Sequence, residues 1–514
     1  MIIIIFLVIC LICVAAVGLF TLFVIGSVIL YIVCSFIYYW WQHGKHFSFF
    51  IQLGVEYDRS ISAFKSFFKR QQEISFATLE KYYRKFNSPI VGSYDGCINW
   101  MIRCPELIGQ ITNQDFDHFS NRKKLIDCSD KTLMGNTLFH LDNQKWTNMR
   151  KSMTLAFSEN KLRDMFALVR NVTIDTVNHL KNTRARELNS KDFMTRYAND
   201  IIATTAFVLE INSNKDRDNE FFKTSVRITD IGKTKYFFMT RFSRLSKLCR
   251  IKLINKTQHK YYMNLVLGTM KHRMTNNITR PDMINMMMEW KANGSQNYTD
   301  VEMVAQSFQF LFTGFESVAS TLTFVVQELM ENPDVQTKLR EEIIKVSKQL
   351  KDEPLTYEVL KTMKYTECVV LETNRKWPSQ PSINRVCTKP IAIWNSFADK
   401  CIPFNKGDNI QIIAAGIQRD PKYFPNPLKF DPERFNEANK KNIAPCTYFP
   451  FGLGPRMCIG NMFAMMEIKC MIYYLFKDFK FEAHSKSVIP LQLDCNSTKI
   501  EPVGGFWVKV NPVE

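Results

Sequence analysis

Two stretches of this chain combine residue types and spacings that point to chemistry. The first is Phe449-Pro450-Phe451-Gly452-Leu453-Gly454-Pro455-Arg456-Met457-Cys458-Ile459-Gly460. Its five fixed positions, F-x-x-G-x-R-x-C-x-G, would coincide by chance on the order of once in 10^4 chains of this length. Gly454 lets such a loop turn tightly, Arg456 offers a planar fork suited to a carboxylate, and Phe451 can keep water from the Cys458 sulfur. The second stretch is Thr313-Gly314-Phe315-Glu316-Ser317, where an acid followed by an alcohol can relay protons. Two weaker patterns accompany them. Glu372 and Arg375 stand one helical turn apart and can pair. Trp146 and Arg150, four apart, share a helix face. Each weak pattern arises readily in any long chain; their order along this one gives them weight.

The elements that must hold these residues are mostly helical. Thr299-Asp300-Val301-Glu302 is a capping box, and the helix it opens runs to Asn332-Pro333, where proline stops it. At roughly 1.5 Å per residue this rod is near 50 Å long and carries 313–317 at its middle. After Met363 the texture changes to short apolar runs broken by proline, a loop-rich segment with short strands that ends at Cys458. A helix from Asn461 to about Phe476 and a C-terminal β-hairpin are expected next. Nearer the start, 60–86 is expected to be helical and 89–104 to form a small hairpin. The fold class expected is mainly α with a small β portion.

Residues 1–42 contain no charged side chain and end in Tyr38-Tyr39-Trp40-Trp41, followed by His43 and Lys45. An apolar core, an aromatic belt and a basic flank describe an uncleaved anchor of one tilted span or a tight hairpin of two. Residues 43–514 are then one catalytic domain on the cytoplasmic side. The net charge of +18 is uneven: 231–281 has no Asp or Glu but twelve Lys or Arg, interleaved with aromatics such as Phe238, Tyr261 and Tyr262. Such a strip suits an anionic membrane surface, a nucleic acid, or simply a solvated helical face. Fourteen scattered cysteines fit a reduced compartment better than a disulfide framework.

The cysteine loop resembles the haem-binding loop of the cytochrome P450 family, and the resemblance extends over about 75–510. It implies haem b with Cys458 as axial thiolate, a ligand that pushes electron density onto iron and favours O–O cleavage. It also implies that Trp146, Arg150, Arg385 and Arg456 hold haem propionates, that Phe451, Gly454 and Gly460 shape the loop, and that Glu372, Arg375 and Arg434 form a buried charge triad. Thr313, Gly314, Glu316 and Ser317 resemble the oxygen-activating motif, with Ser317 where Thr is usual and Thr313 where Ala or Gly is usual. In Gln418-Arg419-Asp420-Pro421 a glutamine replaces the usual His, and no proline-rich hinge follows the anchor. The animal microsomal clan that oxidises foreign compounds is the most similar. Its members sit in the endoplasmic reticulum membrane, take electrons from an NADPH–cytochrome P450 reductase, with cytochrome b5 as a further candidate donor, and oxidise apolar small molecules.

The chain has no G-x-G-x-x-G after a strand and no Walker loop, so its electrons come from outside. The absence of H-E-x-x-H and G-x-S-x-G excludes the common zinc protease and serine hydrolase designs. Nucleic-acid binding is not expected. Two rivals to a monooxygenase stay open at this stage: a haem-thiolate isomerase or dehydratase that needs no reductase, and a non-catalytic haem-binding membrane protein.

Overall fold

A computed structural model of the chain describes residues 2–58, 76–94, 97–124, 132–229, 251–292, 298–351, 353–395, 399–494 and 500–513, with 232, 235, 238, 239, 246 and 249. The uncharged N-terminal run forms one continuous helix, α1 (Ile2–Gln52), about 77 Å long at 1.5 Å per residue. The two-span hairpin is therefore not formed. Its Thr21–Gln52 part is long and apolar enough to cross a membrane by length and composition. The helix runs on past position 42, and its end is packed: Phe50 is buried, stacks on Tyr57 and meets Trp100 edge-on at 5.0 Å. A Cβ on Gly92 would lie 2.2 Å from the Phe50 ring, so glycine makes the seat for this side chain. Where a proline-rich hinge is missing, an aromatic plug joins α1 to the sheet.

Among the described residues ten short strands make three sheets. The largest has the order β1-β2-β3-β8-β5, from β1 (Glu56–Tyr57), β2 (Ile90–Tyr94), β3 (Ile98–Ile102), β8 (Asn409–Ile412) and β5 (Ile383–Val386). The expected hairpin is β2 with β3, antiparallel with Ile90 opposite Ile102. Within this sheet Arg385 faces Ile410 across β5 and β8. The β6 (Ile391–Asn395) and β7 (Lys400–Phe404) pair stands apart. The C-terminal strands β9 (Phe479–Ala483) and β10 (Trp507–Pro512) do pair antiparallel, but a long connection separates them and β4 (Glu187–Asn189) adds a third strand. Of the expected 60–86 helix, Phe76–Arg84 is helical and 59–75 lies outside the described residues.

Five helices carry the site: α2 (Asn143–Ala156), α3 (Glu159–Thr183), α4 (Ser190–Ala206), α5 (Asp300–Glu331) and α6 (Lys364–Lys376). A sixth, α7 (Asn461–Asp478), follows the cysteine loop. The capping box closes as its sequence requires, with the Thr299 hydroxyl accepting from Glu302 N–H and the Glu302 carboxylate from Thr299 N–H. Buried residues cover most of α5, which packs chiefly on α4 and crosses the helical core. This explains its apolar length without a bilayer.

The basic strip is less uniform than its composition. Much of it, including Lys233, Arg241, Arg244, Lys247 and Arg250, lies outside the described residues. Arg273 is internal, bound to Asp282 by Nη1–Oδ1 at 2.8 Å, and Tyr262 is fully buried among Phe207, Phe221 and Phe308. Helical periodicity turns those two side chains inward, while Lys252, Lys256 and Lys260 remain exposed.

Candidate active site

The cysteine loop is tied at both ends before it reaches Cys458. Phe449 N–H donates to Gln418 Oε1 at 2.9 Å, Gly452 N–H to Phe449 O at 2.9 Å, and Cys458 N–H to Phe451 O at 2.8 Å. Gly454 has φ +68°, and a Cβ there would stand 1.9 Å from Thr112 O, so no other residue fits without moving backbone. At Gly460 a Cβ would meet Phe157 at an ordinary 3.7 Å, and the residue stands at the N-terminus of α7. Cys458 is exposed only because its side chain opens onto an internal cavity of about 270 Å³. Burial raises the thiol pKa; a Gly460 N–H and the charges of Arg122 and Arg150 pull the other way.

Four guanidinium groups, those of Arg122, Arg150, Arg385 and Arg456, line the same cavity. Arg456 lies over the Trp146 ring at 4.0 Å and donates to Ser120 O and Leu141 O, each at 2.9 Å. It therefore braces the loop more than it reaches outward. Arg150 Nη1 donates to Met457 O at 2.8 Å, beside the cysteine. The freer donors are on Arg385 and Arg122, whose buried Nε atoms have no partner. Burial, followed by repulsion among the arginines, pushes Arg456 down to about 8 and Arg385 to about 9; burial pushes Arg122 to about 10. So many crowded cations with unspent N–H groups form a basket for an anion. A thiol at the floor, arginines at the rim and apolar walls including Phe310, Phe463 and Ile468 suit a flat cofactor bearing carboxylates. The haem expected from the sequence fits that set.

Helix α5 forms the opposite wall. Thr313, Gly314, Ser317 and Thr321 line the cavity. The Thr313 hydroxyl donates to Gln309 O at 2.8 Å, and the Ser317 hydroxyl to Thr313 O at 2.9 Å and Gly314 O at 3.0 Å. A Cβ on Gly314 would press Ile202 Cδ1 at 3.2 Å, which marks a close approach of α4. Glu316 is not brought to this cavity. It turns toward α4, where Oε1 takes a 2.9 Å ion pair from Lys191.

Beneath the loop, Glu372 and Arg375 on α6 are fully buried and bonded twice, at 2.7 and 2.8 Å, with Arg434 Nε at 3.5 Å from the same carboxylate. Gln418, where the resemblance has His, braces the loop: its NH2 donates to Asn374 O and Arg375 O while its carbonyl holds the loop at Phe449. Three cavity residues escaped the sequence reading of the site. Arg122 belongs to none of the spacings that point to chemistry. Thr321 continues the i, i+4 hydroxyl series, and Glu467 interrupts an apolar stripe of α7.

A family model described as Cytochrome P450 matches residues 58–502. Probable cytochrome P450 9f2 of Drosophila melanogaster is 38% identical over 508 residues, covering 94% of this chain and 98% of the relative. Cytochrome P450 9b2 of the same fly is 35% identical, covering 87% and 90%. Cytochrome P450 6j1 of Blattella germanica is 31% identical, covering 91% and 94%.

Proposed function

The chain belongs to the cytochrome P450 family, haem-thiolate monooxygenases, and we propose on that premise that Cys458 ligates the iron in an enzyme oxidising apolar small molecules. The observation that carries the assignment is the Cys458 side chain opening onto a cavity rimmed by four arginines and walled by α5. Bound haem supplies the iron that activates O2 and transfers one oxygen atom. The chain's own residues do the rest. Arg385 and Arg122 offer their unpartnered N–H groups to the propionates, while Arg456 on Trp146 and Arg150 on Met457 O keep the cysteine loop in place. Phe451 and Gly454 shape that loop, and Gly460 leads it into α7. Glu372, Arg375 and Arg434 lock the structure below it. Thr313, Gly314 and Ser317 border the oxygen side, with Glu316 held behind them by Lys191.

The domain after the anchor, 43–514, faces the cytoplasm of the endoplasmic reticulum membrane in this reading, and 1–42 lies in the bilayer. The long apolar helix supports it, as do the exposed Tyr38, Trp40 and Trp41 beside Lys45. The exposed lysines of 252–260 support a second lipid contact by the basic strip. An NADPH–cytochrome P450 reductase delivers the electrons, with cytochrome b5 as a candidate accessory donor. The test is reconstitution with reductase, NADPH and isotopically labelled O2 over a panel of apolar compounds. Labelled alcohol or epoxide is the expected product. Conversion of peroxides without NADPH would instead favour an isomerase or dehydratase, and haem binding with no turnover a non-catalytic protein.

A further inference from the structure

Two glutamines about one turn apart on α5 bind the same strap of chain, and only one of them is satisfied. The strap, 136–141, leads toward α2 and is held by α5 on one side and by the cysteine loop on the other. Gln306 spends its whole amide. Its Oε1 accepts from Leu138 N–H at 3.1 Å, and its Nε2 donates to Asn136 O and to Glu302 O, each at 2.8 Å. It is 1% exposed and lies outside the cavity lining. All of its hydrogen-bonding groups serve the fold.

Gln309 spends only half. Its Oε1 accepts from Phe139 N–H at 2.8 Å, while its Nε2 has no hydrogen-bond partner among the described residues. The backbone donor fixes which end of the amide is which, because an N–H can be met only by the carbonyl; the NH2 is the end left over. Phe139 is not free to reverse this. Its ring lies 4.2 Å from the Arg122 guanidinium, and the flanking Leu138 O and Leu141 O accept from Arg456 at 3.4 and 2.9 Å. The Thr313 hydroxyl, one turn on, donates to the Gln309 backbone carbonyl and leaves the side chain alone. Gln309 is 7% exposed and, unlike Gln306, lines the cavity, together with Leu138, Phe139 and Phe310. A donor among such walls loses water without replacement unless the occupant of the cavity brings an acceptor.

We propose that Gln309 Nε2 is a substrate-orienting hydrogen-bond donor, and that the preferred substrates are apolar molecules carrying an acceptor oxygen: a ketone, ester, ether or alcohol. The inference rests on the monooxygenase reading and narrows it. The apolar skeleton packs against Phe139 and Phe310 while its oxygen takes the free N–H. A hydrocarbon of the same shape fits the walls and leaves the donor unpaired, which is how the site discriminates against it.

The test titrates the holoprotein with matched pairs, menthone against p-menthane and 2-undecanone against undecane, in wild type, Q309M and Q306M, followed by the haem absorbance. Loss of one hydrogen bond predicts that Q309M weakens each ketone about 3- to 10-fold more than its hydrocarbon. Q306M should move both members of a pair alike. The infrared C=O stretch of the bound ketone should lie below its value in hexane in the wild type, a readout that needs no variant to fold, and return toward that value in Q309M. Haem loss from Q309M should proceed at the wild-type rate. Equal weakening of ketone and hydrocarbon in Q309M, an unshifted C=O stretch in the wild type, or failure of the wild type to bind either ketone would overturn the proposal. Haem loss several-fold faster in Q309M would place the N–H on a haem carboxylate and overturn it as well. A wild type that binds ketones with the shifted stretch but oxidises nothing with reductase and NADPH loses the monooxygenase reading and keeps the donor. One that oxidises both members of each pair, in a ratio that Q309M leaves unchanged, loses only the donor.

Discussion

Replacing Glu372 by Gln keeps the side chain's shape and removes its charge. In the intact protein Arg375 Nε and Nη2 donate to Glu372 Oε2 and Oε1 at 2.7 and 2.8 Å, and Nη1 reaches Gln418 O at 2.8 Å. All of this occurs at 0% exposure, with Asp431 N–H adding a 2.9 Å bond to the same carboxylate. Burial pushes the Glu372 pKa up, and the Arg375 hydrogen bonds pull against it. Removing the carboxylate leaves a buried guanidinium with only carbonyl partners, for which the expected loss is about 3–5 kcal/mol. With a urea slope of ~3 kcal/mol/M or more for so large a domain, the midpoint should fall by roughly 1 M. R375A should cost a similar amount, because it also strands Gln418 O and Pro427 O. The double variant should lose less than the sum, since each single change leaves the other charge unpaired. Urea unfolding followed by circular dichroism and by the haem absorbance gives these values. The exposed Arg163–Glu358 pair is the control, and its disruption should leave the midpoint in place. Single variants of the triad that behave like the control would refute the reasoning.

Other consequences follow from individual positions. R385L should weaken haem retention by roughly 10- to 100-fold, the loss of about 1.5–3 kcal/mol for one charged hydrogen bond, read as the rate of haem transfer to apomyoglobin; unchanged retention would remove Arg385 from the propionate site. Asp200 is raised by burial from 3.8 to about 7, so the folded state holds its proton where the unfolded chain has released it. Stability from this group is therefore present at acid pH and falls by ~1.4 kcal/mol per unit as pH rises from about 4 to about 7, and D200N should flatten that slope in pH-dependent melting. F50A should cost about 3–5 kcal/mol through the lost contacts with Trp100 and Tyr57, whereas W40A, exposed on α1, should leave the melting temperature unchanged and weaken vesicle binding.

The parts of the site legible in the sequence are those set by short spacings. The cysteine loop, the Thr299–Glu302 box and the Glu372–Arg375 pair each close within a turn or two, so their residue order already implies their geometry. Long-range partners were not legible. Gln418 departs from the expected histidine, and only the fold reveals that it bridges Phe449 to α6. Glu316 illustrates a signal that was present and outweighed by the motif. At about 100° per residue it projects well away from Ser317, the centre of the cavity-facing arc, and toward Lys191. Glu467 was readable in the same way, as one acid within the Gly460, Phe463, Ala464, Ile468 stripe of α7. The join between α1 and the sheet was not legible, because a buried Phe50 and its glycine seat at Gly92 lie about 40 residues apart, with a strand and a helix between them among the described residues.

The measurement that bears most directly on Cys458 is the absorbance of the reduced protein under carbon monoxide. A thiolate-type Soret band is expected from the wild type and should vanish in C458A while R375K and E467Q retain it. A histidine-type band in the wild type, or a thiolate band that survives in C458A, would contradict the assignment of the iron ligand and with it the mechanism built above the loop.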